Sequence, residues 1–529
     1  MKKIVFIMFM MINCLYAQSD HWWVFFYDKC ADSINLSEKS IDRRNRFNIT
    51  FDQYDFPVCS LYVDSLRQQN LSVRHASRWL NAVSVSVDSI EVLDRITQYN
   101  FVKDIRPVQT LVKSFYHDKS NFTYISNHFL VQNPLLYGAS YNQINMLGGV
   151  DLHNEGFLGD DILIAVFDAG FEGVDSLPIF DNLWNNNQIL DTYDFVDSDI
   201  NVFHGSSHGT MVLSTMGGYM VDSLIGTSPN ANFMLFKTED SDSETLIEED
   251  NWAAAAEYAD SVGVDIINSS LGYTILYDDT LNSHSYSDMD GNSTIITNAA
   301  DLAASRGILV VNSAGNSGNN DWYYIGAPAD GDSVLAVGAV NAQGNIASFS
   351  SRGPSYDGRI KPNVCAQGVQ SVVADLDSTI RVANGTSFSS PILAGLAACL
   401  WQTNNDLTNM DILNMIEKSA HLFIAPNDSF GYGIPNFHEA YLSSLSTNVE
   451  LNNITVYPNP FQYSFSIQNN SNEDLAIDIF NIMGKLIYST VIYKEQSYFS
   501  LNALSYQPSG VFILKINGLN AYQMIKLNE

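Results

Sequence analysis

Between residues 18 and 110 the apolar positions come in short strand-like runs, WWVFFY (22–27), LNAVSVSV (80–87) and FVKDIRPV (101–108). Two more polar, helix-like stretches lie among them, near 62–70 and 88–99, and the mixture predicts a small α+β unit. A polar, poorly patterned strip at 111–137 follows and reads as a linker. From about residue 150 the texture changes to ILIAVF (162–167), NFMLFK (232–237), VDIIN (264–268), ILVVN (308–312) and VLAVGAV (334–340), separated by helical stretches such as 250–262 and 296–306. Apolar runs without polar alternation mark strands buried on both faces, and their alternation with helices predicts an α/β domain with a central parallel sheet. After about 447 the pattern shifts again. SFSI, LAIDIFN, GKLIYST, GVFILKI and QMIKLNE, with turn residues at Asn469, Asn470, Gly484 and Gly510, predict a small antiparallel β-sandwich.

With 529 residues the chain exceeds one core, and about three or four units are expected. Its first residues, MKKIVFIMFMMINCLYAQSD, combine two lysines, an apolar run from Ile4 to Ile12 and a small residue at Ala17, the make-up of a secretory signal over 1–17. No later stretch approaches the roughly 20 apolar residues a membrane-spanning helix needs, so no transmembrane segment is expected. Lipidation through Cys14 is disfavoured because Asn13 is a poor residue to precede a lipidated cysteine. Export permits disulfides, and Cys30 and Cys59, in one segment, are candidates to pair. Cys399 sits in an apolar helix and reads as a small buried hydrophobe. The 58 acidic against 26 basic residues give a formal charge of −32, a field that repels polyanions and excludes nucleic acid as a partner.

In a parallel sheet, ligands sit beyond the carboxyl ends of the strands. Asp168 ends ILIAVF, His208 opens the helical stretch HGTMVLSTM, and Ser387 opens the helix after VANGTSF. Singly, each has a structural explanation as cap or turn former. Jointly they supply what a weak hydroxyl nucleophile requires, a base and a carboxylate to orient it. An α/β-hydrolase elbow would need G-x-S-x-G and the order Ser, Asp, His; here Ser389 stands in place of the second glycine. Asn316, ending ILVVNSAGN, offers an amide to a developing oxyanion.

The stretches ILIAVFDAGF, SSHGTMVLSTMGG, INSSLGY, VVNSAGN and NGTSFSSP, in this order, resemble the subtilisin-like serine peptidases over about 150–445. The resemblance implies an α/β, subtilisin-like three-layer fold with a central parallel sheet, here preceded by a small α+β propeptide and followed by a small antiparallel β-sandwich. It implies a catalytic set of Asp168, His208 and Ser387, an oxyanion hole at Asn316, and a substrate-binding edge at Ser270, Leu271 and Gly272. The chemistry requires no cofactor; structural calcium is an option whose ligands the sequence does not name. The acidic loop DMDGNST (288–294) lacks the glycine at loop position six and the bidentate glutamate at position twelve of a calcium loop. Phe388, Ser389, Ser390 and Cys365-Ala-Gln depart from the family's common residues, without touching the proton path.

Residues 18–110 resemble a subtilase propeptide, and the last unit resembles the sorting domain of Bacteroidetes type IX secretion cargo through VYPNPF, NIMGKLI, GVFILKI and MIKLNE. The expected organisation is a signal peptide at 1–17, a propeptide-like domain with linker at 18–125, a peptidase domain at 138–447 and a sorting domain at 453–529, with a cut within 111–137. The expected partners are protein or peptide substrates and the type IX secretion machinery, and the expected location is outside the cell or on its surface, reached through the periplasm. The rival is a catalytically inactive subtilase scaffold acting as a surface binding protein or adhesin.

Overall fold

Strands buried on both faces need apolar residues at every position, and the five uninterrupted runs of the middle region all enter one sheet. In a computed structural model of the chain the described residues are 21–445 apart from 31–32, 88, 109–135, 242–246 and 275–283, and 454–527 apart from 470–472, 482–484, 495, 497, 503 and 517–519. The signal segment and nearly all of the linker lie outside them.

The N-terminal domain consists of β1 (His21–Phe26), α1 (Glu38–Phe47), α2 (Ser60–Arg67), β2 (Ser72–Ser77), β3 (Ala82–Ser86), α3 (Glu91–Ile96) and β4 (Val102–Val108). Its antiparallel sheet has the order β2-β3-β1-β4. Val24, Phe26, Val83 and Val85 pack with Leu66 of α2 and with Leu93 and Ile96 of α3. Cys30 and Cys59 form a disulfide. The sequence pattern misses α1, because its buried residues are Ser40, Arg43 and Arg44 and no apolar stripe betrays it.

The central domain contains α4 (Tyr141–Asn145), α5 (Gly149–Asn154), β5 (Leu163–Asp168), α6 (Asp181–Asn185), β6 (Ile189–Asp194), α7 (His208–Gly217), β7 (Tyr219–Met220), β8 (Leu224–Ile225), β9 (Asn232–Lys237), α8 (Ile247–Val262), β10 (Ile266–Ser269), α9 (Ile295–Ser305), β11 (Leu309–Ser313), β12 (Val334–Val340), β13 (Val364–Gln367), β14 (Ser371–Ala374), β15 (Ile380–Ala383), α10 (Thr386–Gln402) and α11 (Asn409–Lys418). Seven strands form a parallel sheet in the order β13-β12-β11-β10-β5-β9-β6. The pattern finds the five inner strands and misses the two edges. β6 is only half-buried and mixes polar with apolar residues, and β13 is four residues long. α8 and α9 cover the sheet through Trp252, Ala255, Ala256, Ala299 and Ala300, in a core with Ala165, Phe167 and Val310. All strand C-termini face one edge. Because α8 and α9 run back against the strands that follow them, their C-terminal ends lie at the opposite edge.

A separate unit, Asn436–Glu529, holds α12 (Phe437–Leu445) and two antiparallel sheets. One is β16 (Ile454–Tyr457), β17 (Phe465–Asn469) and β20 (Tyr498–Leu501); the other joins β19 (Leu486–Ile492), β18 (Leu475–Asn481), β21 (Gly510–Ile516) and β22 (Asn520–Lys526) in that order. Ile467 and Leu501 of the first sheet share a core with Ile477, Leu514 and Met524 of the second, a β-sandwich. Asn469 and Gly510 are the end residues of strands rather than turn residues; Asn470 and Gly484 fall outside the described residues.

The second face of the N-terminal sheet packs on the starts of α8 and α9, where Trp23, Ala82 and Val108 meet Ile247 and Ile295. Glu257 of α8 accepts from Ser77 Oγ, from the Arg78 N–H at 2.8 Å and from the Trp79 N–H at 3.4 Å, yet burial pushes its carboxyl up to about 7. His75 Nε2 lies 2.9 Å from Asn251 Oδ1, and burial, then Arg74, push its imidazole down to about 4. Burial also raises Asp250, despite a bond from Trp23 Nε1 at 2.6 Å.

Separation of the domains would rehydrate all three groups. Glu257 holds its proton up to about 7 when docked and to its ordinary 4.5 when free, so its contribution to docking is full below 4.5 and lost as pH rises to about 7. Asp250 acts in the same direction. His75 opposes them, since docking expels a proton held up to 6.5 in the free domain, and its penalty fades as pH rises from about 4 to 6.5. Arg74, although burial lowers it, stays charged throughout. In a chain cut in the linker, His75→Ala is therefore expected to make docking fall more steeply between about pH 4.5 and 6.5 than in the parent. Dissociation constants measured at both ends of that window check this; equal slopes would remove His75 from the balance.

Candidate active site

Asp168, at the C-terminal end of β5, is fully buried. Its Oδ1 accepts from His208 Nδ1 at 2.8 Å and from the Ala169 N–H at 2.8 Å. His208 is the first residue of α7, and its own N–H donates to Ser206 Oγ at 3.1 Å. Two glycines permit this approach. A Cβ on Gly209 would lie 2.5 Å from the Gly170 carbonyl oxygen, and one on Gly170, at φ +143°, would lie 2.2 Å from that of His204.

Ser387 is the second residue of α10, a helix whose residues Thr386–Trp401 are all buried. Pro391 has no N–H to give the carbonyl four residues back, which is that of Ser387. Ser270 Oγ supplies the missing bond at 2.9 Å, and Ser387 Oγ rests on the Ser270 carbonyl at 3.3 Å. Ser390 Oγ donates to Asn268 Oδ1 at 3.0 Å, and Asn268 Nδ2 to Ser270 Oγ at 3.4 Å. This polar chain ties the first turn of α10 to the end of β10.

Asn316 follows β11. Its Oδ1 accepts from the Thr386 N–H at 2.9 Å and from Thr386 Oγ1 at 3.0 Å, and Thr386 Oγ1 in turn accepts from the Gly315 N–H at 3.2 Å. A backbone N–H only donates, so the amide oxygen must face Thr386, which sets the opposite side, Nδ2, toward Gly385. A Cβ added to Gly385 would be 3.7 Å from that nitrogen.

Ser270, Leu271 and Gly272 run along the same edge. The Leu271 carbonyl is taken by Asn312 Nδ2 at 3.0 Å and Ser313 Oγ at 3.3 Å, and Tyr273 pairs with Ala327. Gly272 is exposed.

The structure thus brings Asp168 to His208, Ser387 to Ser270 and Asn316 to Thr386. Sequence reasoning missed Thr386, Gly170 and the bracing role of Pro391, although GTSFSSP carried a signal: a proline in a helix frees a carbonyl that something must satisfy. Of the departures, the Phe388 ring lies 5.8 Å from the His208 ring, and the Cys365 thiol is buried and pushed up to about 12 by burial, which leaves it inert.

In residues 288–294 the carboxylates have partners within their own loop. Asp288 Oδ2 accepts from the Ser285 N–H and hydroxyl, and Asp290 from the Asn292 and Ser293 N–H groups, so the two carboxylates serve local turns. Among the described residues Asp194, Asp197 and His204 come close enough to share an ion, but Lys237 Nζ already bridges the two aspartates at 2.8 and 3.2 Å. A buried ammonium likewise fills a carbonyl cage at Lys361, which donates to the Gly331 and Val334 carbonyls and to Asn363 Oδ1 at 2.8, 2.7 and 3.1 Å.

A three-layer parallel fold with a carboxylate-held imidazole and a helix-mouth serine along one edge is the architecture of a serine endopeptidase. The chain belongs to the subtilase family, whose model matches residues 159–433. It is 31% identical over 301 residues to subtilisin amylosacchariticus of Bacillus subtilis subsp. amylosacchariticus, spanning 56% of this chain and 70% of that protein. A subtilisin of Bacillus pumilus is 30% identical over 301 residues, spanning 56% and 97%. Fervidolysin from Fervidobacterium pennivorans, a keratinolytic enzyme related to subtilisin, shares the fold at a TM-score of 0.57 and 19% identity, over 94% of this chain and 70% of that one. Residues 21–123 match the Bacteroidota propeptide domain of peptidase S8, and 455–527 match a secretion-system C-terminal sorting domain. The chain is therefore a secreted or surface-located serine protease with both flanking domains. Among the described residues no helix is long and apolar enough to cross a membrane. The family's chemistry requires no cofactor.

Proposed function

We infer that the chain is an endopeptidase that cleaves proteins through an acyl-enzyme, with Asp168, His208 and Ser387 as the reacting set. The observation that carries this is the 2.8 Å bond from His208 Nδ1 to a fully buried Asp168, across two segments forty residues apart, on the edge where Ser387 opens α10. Ser387 Oγ turns from the Ser270 carbonyl to His208 Nε2, gives its proton to that nitrogen and bonds to the scissile carbonyl carbon. The oxyanion takes hydrogen bonds from Asn316 Nδ2 and from the Ser387 N–H, one of the first N–H groups of α10 for which a helix has no acceptor of its own. His208 then returns the proton to the leaving amine, and water, deprotonated by His208, releases the acyl group and restores Ser387. An extended substrate pairs with the backbone at 270–272, a strand added to an edge.

Asn316→Ala is expected to lower kcat by about 10²–10³ with KM nearly unmoved, the magnitude measured for the corresponding donor of subtilisin itself. Steady-state kinetics on a peptide amide check it, and an equal rise in KM would assign Asn316 to substrate binding.

The N-terminal domain acts as a propeptide, severed within 111–137, and the C-terminal sandwich is read by the type IX export machinery and then removed or used as an anchor. A fluorophosphonate probe tests the hydrolase reading, since it modifies only an activated serine. The matured protein should be labelled at Ser387 and should degrade casein. An unlabelled protein would favour the inactive scaffold, and labelling without casein degradation would favour a processing peptidase with one dedicated substrate.

A further inference from the structure

The disulfide between Cys30 and Cys59 closes a loop that carries α1 away from the N-terminal sheet. This arm reaches the C-terminal ends of α8 and α9, at the sheet edge opposite Asp168, His208 and Ser387. The end of α8 is set against its own dipole: Asp260 lies in the last turn, with no basic residue of the helix beside it. Cations from the N-terminal domain supply the balance. Arg43 Nη2 meets Asp260 Oδ1 at 2.6 Å, Arg44 Nη2 meets Asp260 Oδ2 at 2.8 Å and Asp55 at 2.7 Å, and Arg78 Nη2 meets Asp260 Oδ2 at 2.6 Å. Arg43 also donates to the Asp260 carbonyl in the last turn of α8, at 3.4 Å, to the Val264 carbonyl just beyond it and, through Nε at 3.0 Å, to the carbonyl of Arg306 at the end of α9, so one guanidinium meets the ends of both helices.

The pairs are fully desolvated, with Arg43, Arg44 and Asp260 at 1%, 0% and 0% exposure. The surfaces also fit closely. A Cβ on Gly263 would lie 2.8 Å from the Ser40 nitrogen, one on Gly307 would lie 2.9 Å from the Phe47 ring, and that ring stacks on Trp401. From Asp250, beside the N-terminal sheet, to Val262 at the arm is about 18 Å along α8. The arm therefore holds ground at the sheet edge opposite the cleft.

We propose that the C-terminal ends of α8 and α9 form a second docking site for the N-terminal domain, one that receives the arginine pair Arg43 and Arg44 and keeps the domain bound after the linker is cut. Its consequence, a cleaved enzyme that stays latent, rests on reading residues 21–108 as a propeptide; the docking itself does not.

The test is made independent of catalysis by using the full chain with Ser387→Ala, carrying a protease recognition sequence inserted after Lys119, cut there and passed over a sizing column. The two fragments should co-elute at 0.15 M and at 1 M NaCl, because buried pairs are little screened. With Arg43→Met and Arg44→Met added, dissociation should be at least about 100-fold faster, since buried Asp260 keeps only Arg78 of its three cationic partners. Separation of the parent fragments on cutting, or co-elution of the double variant with the parent's dissociation rate, overturns the proposal. If the double variant does not fold, hydrogen exchange on the cut parent decides. Retained protection at residues 263–264 and 307–308 supports the second site, and its loss together with that over 250–257 refutes it.

Discussion

Ser387→Ala is expected to lower kcat by about 10⁶ and to abolish fluorophosphonate labelling, while leaving the fold and the Asp168–His208 bond intact. The magnitude is the one measured for subtilisin's own serine and is not deduced from this geometry; the specificity of the effect is. The hydroxyl is one atom, and its bond to the Ser270 carbonyl, at 3.3 Å, is long. What anchors the turn is the backbone: the Ser387 carbonyl held by Ser270 Oγ, and Thr386 held by Asn316. Alanine keeps both. The variant should therefore melt within a few degrees of the parent, still bind substrate, and retain only the residual rate that oxyanion donors and binding give, about 10³–10⁴ over water. Hydrolysis within tenfold of the parent would mean that another nucleophile does the work.

How much of this could be read from the chain depends on what kind of residue is buried. β5, β9, β10, β11 and β12 were legible because a strand sandwiched between helix layers shows an unbroken apolar run. β6 and β13 were not, being an edge with water on one side and a strand too short to show a pattern. α1 escaped notice for a different reason. Its inward residues are arginines paired with aspartates from remote segments, and no local periodicity records such a partnership. The candidate site divides in the same way. Asp168, His208 and Ser387 stand at strand ends and helix starts, where an alternating β/α pattern directs attention. The clasp between Thr386 and Asn316, and the pairing of Ser270 with Ser387, join residues 70 and 117 positions apart and exist only once the sheet has formed. The polar tether through Ser390 and Asn268 is likewise a product of packing.

Asp168→Asn should cost about 10⁴ in kcat, the loss seen when the same change is made in a chymotrypsin-type triad. The reason lies in the two donors that share Asp168 Oδ1, the Ala169 N–H and His208 Nδ1, each at 2.8 Å. An asparagine has two ways to sit there. With its oxygen toward both donors it preserves the tautomer, but the negative charge that stabilises the imidazolium formed as Ser387 attacks is gone. With its NH₂ toward them it opposes the Ala169 N–H and drives His208 to the tautomer protonated at Nε2, which cannot accept the serine's proton. Either way the barrier rises, and neither arrangement disturbs Asn316 or the 270–272 edge, so KM should change by less than about threefold. The two cases separate by proton NMR of His208 in the inhibitor-free enzyme, which reports the nitrogen that carries the proton. Full activity in the variant would show that His208 is steered by something other than this carboxylate, and would leave the fully buried charge of Asp168 without a chemical role.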